Sequence, residues 1–245
     1  MRRPGILPGV GDPADVAREA AAAAAAELVE AGMTIGLGSG RAVWKLVELL
    51  GSRVAEGGDL AHDALRAATA SSRTDQLARS VGIHVVELDG TVELDLALDG
   101  ADEVDPQLRL IKGGGGALLR EKIVISAARR FVVVAETPKK VGRLGEHFRL
   151  PVEVVRFAWQ DTRRRLGLVL PASTQRLQED DAPYVTDEGH FILDCALPAD
   201  ADIDALGPRL REIPGVVEHG LFIGMAERAL LGRPDGGVEV LERTR

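Results

Sequence analysis

Short apolar runs alternate with stretches of helical periodicity through the first half of the chain. Runs at 33–37, 65–70, 83–88, 94–98 and 131–135 read as strands. Residues 42–54, 74–81 and a stretch from Ala117 to about Arg130 read as helices between them. A first helix follows Asp12 or Asp15, either of which can cap it, with Pro13 in its opening turn; it is expected to end near Ala31-Gly32. Strands that alternate with helices predict an α/β fold, a doubly wound and mostly parallel sheet. Such sheets bind ligands outside the carboxyl ends of their strands. Ser39, Asp99 and Lys139 each closely follow a strand end, so the pattern alone brings them to one rim.

The pattern changes from Pro151 onward. Residues 152–155 read as a strand and 161–168 as a helix. Residues 184–185 and 190–194 read as a hairpin around Asp187-Glu188-Gly189. A helix over 202–213 precedes 216–223, the last long strand expected. This is the signature of a small α+β unit of antiparallel strands. No internal repeat or low-complexity linker separates it from the rest. Residues 1–12, with Pro4, Gly5, Pro8, Gly9 and Gly11, are expected to be flexible.

Composition narrows the function classes. A net charge of −8 argues against a general nucleic-acid binder, and 3% aromatic residues argue against stacking of single-stranded bases. A single cysteine, Cys195, excludes an internal disulfide and fits a reducing compartment, hence the cytoplasm; its expected role is to fill space beside Leu193 and Leu197. The alanine run at 20–26 is bracketed by Arg18, Glu19, Glu27 and Glu30, so it reads as a helix rather than a signal peptide. No apolar stretch is long enough to span a membrane. The histidines form no metal-like cluster with the cysteine.

Candidate chemistry concentrates in residues 94–122. An apolar run breaks into Asp99-Gly100-Ala101-Asp102-Glu103, a second run leads to Lys112, and four glycines, Gly113 to Gly116, open a helix that carries Glu121. Asp-Gly turns and glycine loops are individually ordinary. Four consecutive glycines cost backbone entropy on ordering, which a compact fold retains where backbone must approach something closely. A lysine directly before them adds positive charge where exposed N–H groups already attract an anion. Paired acids on a loop can also hold a cation, although the spacing here fails the EF-hand pattern. Upstream, Gly38-Ser39-Gly40-Arg41 joins a strand to a helix, the arrangement that seats a phosphate on helix N–H groups.

DGADEVDP at 99–106, IKGGGGALLREKIV at 111–124 and IPGVVEHGLFIGMA at 213–226 resemble type A ribose-5-phosphate isomerase, in the same order and over about 18–236 of the chain. The resemblance implies a Rossmann-like catalytic domain over 1–146 and 219–245 and a small inserted α+β lid domain over 147–218. It implies an aldose–ketose isomerase that interconverts ribose 5-phosphate and ribulose 5-phosphate through an enediolate, a step of the non-oxidative pentose phosphate pathway. No cofactor or metal is required, because the proton returns to the molecule it left. Glu121 matches the general base, Asp99 and Asp102 match the acids of the DGAD motif, with Asp99 assigned to ring opening. Asp102 would hold sugar hydroxyls or orient Lys112. Lys112 and the N–H groups of Gly113, Gly114, Gly115 and Gly116 would stabilise the enediolate oxygen. Gly100 and Ala101, between the two acids, join the substrate-contacting set. Ser39, Gly40 and Lys139 match the phosphate anchor, and Arg18 falls where the family has a lysine on its first helix. A homodimer or larger homo-oligomer is implied; neither a nucleic acid nor a membrane is an expected partner.

The chain departs from the family at one loop. The usual Thr-Gly-Ser-Thr is replaced by Ser39-Gly40-Arg41-Ala42, which loses hydroxyls and gains a cation. Arg41 is expected to replace them as a phosphate ligand, with Ala42 beside it. Ser71 and Ser72 stand near the second hydroxyl-bearing loop, and His219 is expected to pack at the domain junction. Two other classes remain to be weighed. A sugar-phosphate sensor would need a DNA-binding module, for which residues 1–31 are too short. A CoA transferase shares a related fold and a catalytic Glu, but fold likeness alone does not carry function.

Overall fold

The computed structural model describes residues 12–55, 60 and 64–243; the glycine- and proline-rich residues 1–11 lie outside it. The first helix, α1 (Pro13–Ala26), starts where Asp12 accepts a hydrogen bond from the Ala14 N–H at 3.0 Å. It stops short of the expected Ala31-Gly32. The Arg53 guanidinium takes the Ala26 and Val29 carbonyls at 2.7 and 3.2 Å, ending the helix at the alanine run. Ala21, Ala22 and Ala25 are fully buried, so the alanine run is core.

Alternating elements follow in the predicted order: β1 (Thr34–Leu37), α2 (Arg41–Ala55), β2 (Arg66–Thr69), α3 (Ser72–Ser80), β3 (His84–Val85) and β4 (Leu96–Asp99). A two-residue pair, β5 (Glu103–Val104) and β6 (Leu110–Ile111), forms a hairpin absent from the sequence reading. Then come α4 (Leu118–Ser126) and β7 (Phe131–Glu136). The helix α4 ends four residues before the expected Arg130. Ala128 bridges to Leu94, and the Arg129 N–H donates to the Leu94 carbonyl at 2.9 Å, which turns the chain into β7.

The second half holds β8 (Leu150–Val154), α5 (Trp159–Leu166), β9 (Ser173–Gln175), β10 (Phe191–Cys195), α6 (Ile203–Arg211) and β11 (Val216–His219). It ends with β12 (Leu221–Phe222), β13 (Arg228–Gly232) and β14 (Val238–Glu242). Two sequence expectations are corrected here. The partner of β10 is β9, not residues 184–185; Tyr184 instead donates its N–H to the Arg176 carbonyl at 2.9 Å. Residues 216–223 are not the last long strand. Gly220 breaks the run because its backbone lies against Lys112: the Lys112 N–H donates to the Gly220 carbonyl at 2.9 Å, and a Cβ at Gly220 would lie 2.2 Å from the Lys112 carbonyl.

The main sheet has seven strands in the order β14-β13-β7-β4-β1-β2-β3, parallel except at the β13–β14 hairpin. Its apolar strands are buried on both faces, as parallel sheets require. A separate antiparallel sheet, β11-β8-β10-β9, packs α5 and α6 around a second core. The small sheet β12-β6-β5 joins the two. Cys195 lies fully buried in the second core with Leu193 and Leu197. Among the described residues no helix is long and apolar enough to cross a membrane.

Candidate active site

Asp99 is the last residue of β4, so the strand delivers its carboxylate to the carboxyl rim of the sheet. There it accepts the Ser39 and Gly100 N–H groups at 3.1 and 2.7 Å. Gly38 is required beside it: a Cβ there would fall 1.8 Å from the Asp99 carboxyl carbon. The turn after β1 thus sits directly on the end of β4.

Lys112 follows β6 and points at the same carboxylate. Its ammonium stands 2.9 Å from Asp99 Oδ2 and 3.3 Å from Glu121 Oε2, and it donates to the Gly100 carbonyl at 2.6 Å. Glu121 comes from the first turns of α4, whose start is set by the glycine run. All three side chains are almost fully buried. Burial, reinforced by Asp99 and opposed by Lys112, pushes the Glu121 carboxyl up to about 8. Burial also raises Asp99, against the pull of Lys112. For Lys112, burial is outweighed by Asp99 and Glu121, and its pKa rises. The cluster therefore keeps its lysine charged and holds more carboxylate than cation, so a proton is readily retained or released near neutral pH.

An open cavity of about 560 Å³ lies above this cluster. Ser39, Gly40, Arg41 and Ala42 line one end; Gly100, Ala101, Asp102, Lys112, the four glycines and Glu121 line its floor, and Lys139 its side. Asp102 accepts the Gly114 N–H at 2.7 Å and so ties the acidic turn to the glycine loop. Lys139 sits in the short 3-10 turn Thr137–Lys139 after β7. Among the described residues neither Arg41 nor Lys139 makes an ion pair, which leaves both cations available to an anion in the cavity. Two predicted residues are placed differently. Asp99 lies beneath the cavity floor, behind Lys112 and Ser39. Arg18 is committed to Asp15 and Glu136 at 2.6 and 2.5 Å, in an adjoining cleft that also touches Arg41 and Lys139.

The cavity also holds residues that sequence reasoning passed over or left unused. The Ser71 hydroxyl caps α3 and donates to Ser39 Oγ at 3.1 Å, so the second hydroxyl-bearing loop does converge on the first. The Arg73 guanidinium stacks 3.6 Å over Trp44 on the cavity wall. From the connection between β9 and β10 come Tyr184 and Asp187; Asp187 accepts from the Ser72 N–H and hydroxyl at 3.1 Å and pairs with Arg120 at 3.1 Å. A Ser followed shortly by acids or aromatics is no local signal; only the return of the 176–190 segment across the glycine loop brings these groups together. His219 is buried, and burial lowers its pKa to about 3, so it is a neutral packing group near Lys122. Among the described residues no group of three or more His, Cys, Asp or Glu side chains could hold a metal ion.

A doubly wound sheet that gathers acid–base groups and unpaired cations at its carboxyl rim is the architecture of an α/β enzyme acting on a small anionic molecule. The family model for ribose 5-phosphate isomerase A (phosphoriboisomerase A) matches residues 66–236. The chain is 50% identical to ribose-5-phosphate isomerase A of Roseiflexus sp. (strain RS-1) over 91% of its own length and 94% of the relative's. The structure of ribose 5-phosphate isomerase A from Methanocaldococcus jannaschii superposes with a TM-score of 0.86 at 36% identity, covering 94% of this chain and 100% of that one. A D-ribose-5-phosphate isomerase in complex with phospho-erythronic acid gives a TM-score of 0.88 at 34% identity, covering 94% and 99%. The chain belongs to the ribose 5-phosphate isomerase A family. Its reaction is the isomerisation of ribose 5-phosphate, an aldose–ketose interconversion.

Proposed function

We propose that Glu121 is the general base of this isomerisation and that the cavity above it seats the sugar phosphate. The observation that carries the reading is geometric: Glu121 lines the cavity with its Oε2 3.3 Å from the Lys112 ammonium, and burial there pushes its carboxyl up to about 8. A base is most effective when its pKa lies near the working pH. Glu121 removes the proton from the carbon next to the carbonyl and returns it to the former carbonyl carbon, while the hydroxyl proton passes from the one oxygen to the other. Lys112 and the N–H groups of the glycine run stabilise the enediolate oxygen that develops meanwhile. Asp99 supports ring opening through Lys112 and Ser39 rather than by lining the cavity, and Asp102 orients the glycine loop while facing the sugar hydroxyls. No electron leaves the substrate, so the chemistry calls for no redox cofactor.

The phosphate end falls where α2 begins. The first N–H groups of a helix lack internal partners and attract anions. Ser39, Gly40 and Ala42 bring that backbone to the ligand, and Arg41 and Lys139 supply charge. Arg18 contributes through Glu136, holding the adjoining wall. Residues 147–218 form the lid domain of this reading, and 1–146 with 219–245 the catalytic domain; the separate four-stranded sheet with its own core supports that division. The chain acts in the cytoplasm as a homodimer or larger assembly, with which its single buried thiol is compatible. Sedimentation that shows a fully active monomer at micromolar concentration removes the assembly from this account.

The decisive experiment is a coupled assay with ribose 5-phosphate in EDTA, run on the native chain and on Glu121→Gln. The amide keeps size and polarity but cannot accept a proton. Turnover is expected to survive chelation in the native chain and to fall about 100-fold or more in the variant, with KM little changed. Near-normal turnover in a folded Glu121→Gln protein transfers the base to another carboxylate.

A further inference from the structure

A run of four glycines makes a poor oxyanion receptor unless its peptide planes are fixed from outside, because each glycine samples more backbone conformations than any other residue. The fixing groups come from the segment that joins β9 to β10. Arg176 follows β9 directly. Its Nε and Nη2 grip the Asp194 carboxylate of β10 at 2.9 and 2.5 Å, which locks the guanidinium plane. The remaining Nη1 donates to the carbonyls of Gly113 and Gly114 at 2.7 and 3.1 Å. Tyr184 adds a hydroxyl to the Gly115 carbonyl at 3.2 Å, and its own N–H is held by the Arg176 carbonyl.

The carbonyl and the N–H of a trans peptide point in opposite directions, and the described residues contain no cis peptide. A guanidinium that captures a carbonyl therefore aims the N–H of the same peptide away from itself. For the peptide between Gly113 and Gly114, the N–H so aimed meets Asp102 at 2.7 Å. For the peptide between Gly114 and Gly115, the N–H belongs to a cavity-lining residue and meets no acceptor among the described residues.

We propose that Arg176 is a positioning residue for the isomerisation: clamped by Asp194, it holds the glycine carbonyls so that the Gly115 N–H faces the enediolate oxygen. Arg176 itself touches no substrate. The lid thereby does more than cover the cavity; it orients a donor within it. This rests on the reading of the glycine run as the oxyanion site. Arginine suits the task because two of its donors can be anchored while a third remains rigidly aimed.

The test compares Arg176→Lys, Arg176→Met, Asp194→Asn and Gly115→Pro in the full chain. It measures kcat and KM for ribose 5-phosphate, inhibition by phospho-erythronic acid, whose carboxylate presents oxygens near the reacting carbons, and inhibition by inorganic phosphate. Arg176→Met is expected to lower kcat by about 100-fold and weaken phospho-erythronic acid comparably, as a displaced donor does. KM and phosphate inhibition should stay within about threefold, since the phosphate end is not clamped by Arg176. Arg176→Lys should recover part of kcat, and Asp194→Asn should show the same split as Arg176→Met in milder form. Unchanged kcat in Arg176→Met, or a parallel loss of kcat, KM, phosphate binding and thermal stability in both Arg176→Lys and Asp194→Asn, overturns the proposal. Gly115→Pro removes the N–H itself. If it loses phospho-erythronic acid affinity while Arg176→Met does not, only the clamp is wrong. If a folded Gly115→Pro keeps that affinity, the oxyanion reading beneath the proposal falls with it.

Discussion

Two buried lysines flank the ring of Phe222, with ammonium groups 5.5 Å (Lys112) and 4.6 Å (Lys122) from its centre, yet they behave oppositely. Their side chains are similarly hidden, at 2% and 8% exposure. Burial lowers both pKa values. For Lys112, Asp99 and Glu121 outweigh burial and the pKa rises. For Lys122, burial wins over its one carboxylate, Glu218, and the pKa falls to about 8. The rest of the Lys122 shell is carbonyl, His219 and Leu221 at 2.6 and 2.9 Å. Carbonyl dipoles satisfy an ammonium's hydrogen bonds but offset less of its desolvation than a full negative charge does. One cluster therefore keeps its ammonium charged at the cavity floor. The other ties α4, which carries Glu121, to the junction between β11 and β12.

The sharpest break of this comparison is Lys112→Met. Removing that charge is expected to lower kcat by about 100-fold or more, the cost of losing an oxyanion donor. Lys112 is also the group that draws the Glu121 pKa down. Without it the Glu121 value moves further above about 8, so the alkaline-rising limb of kcat/KM moves to higher pH. A limb that stays put or moves down contradicts the assignment of that limb to Glu121.

Lys122→Met comes next and acts on stability. It strips partners from buried carbonyls and from Glu218, at a cost of about 1–3 kcal/mol near neutral pH, while kcat changes less than about tenfold. The pH dependence has a definite sign. The folded pKa of about 8 lies below the ordinary 10.5, so between these values the unfolded chain binds more protons than the folded one. The native protein should therefore gain stability relative to Lys122→Met as pH rises from about 8 to 10.5, read by urea unfolding of both. A difference that is flat with pH means Lys122 is not held as described.

The smallest effect is expected at the exposed Arg41, which has neither kind of shell. Arg41→Ala should raise KM for ribose 5-phosphate by about tenfold through loss of a charge-assisted bond, with kcat little altered. Arg41→Lys should restore part of that because a point charge lacks the fork geometry. An unchanged KM in the folded alanine variant leaves Ser39, Lys139 and backbone as the anchor.

The sequence made the main sheet legible because its strands are apolar on both faces and punctuated by helices of clear period. The placing of Ser39, Asp99 and Lys139 at one rim followed from topology alone. The β13–β14 hairpin was within reach as well: Pro234-Asp235-Gly236-Gly237 sits between an apolar run and the alternating Val238–Glu242. Reading 216–223 as the last strand passed over it. The two-residue strands β5 and β6 carry too little pattern to be read. Arg176, Tyr184 and Asp187 were invisible for a different reason. Each acts on residues far away in sequence, and nothing local distinguishes them from surface side chains until β9 and β10 have paired.

The parallel pairing of β7 with β13 has a consequence for how the chain comes into being. The whole four-stranded sheet and its helices lie between those two strands in sequence, and α1 packs against both β7 and β13. On a ribosome, the first helix and the strand Phe131–Glu136 emerge long before their last partner is made. That strand, FVVVAE, then presents an apolar, unpaired edge, the kind that seeks other chains. Premature termination between Lys139 and Arg228 should thus yield insoluble product rather than a working fragment, even though every candidate catalytic side chain would already have been synthesised.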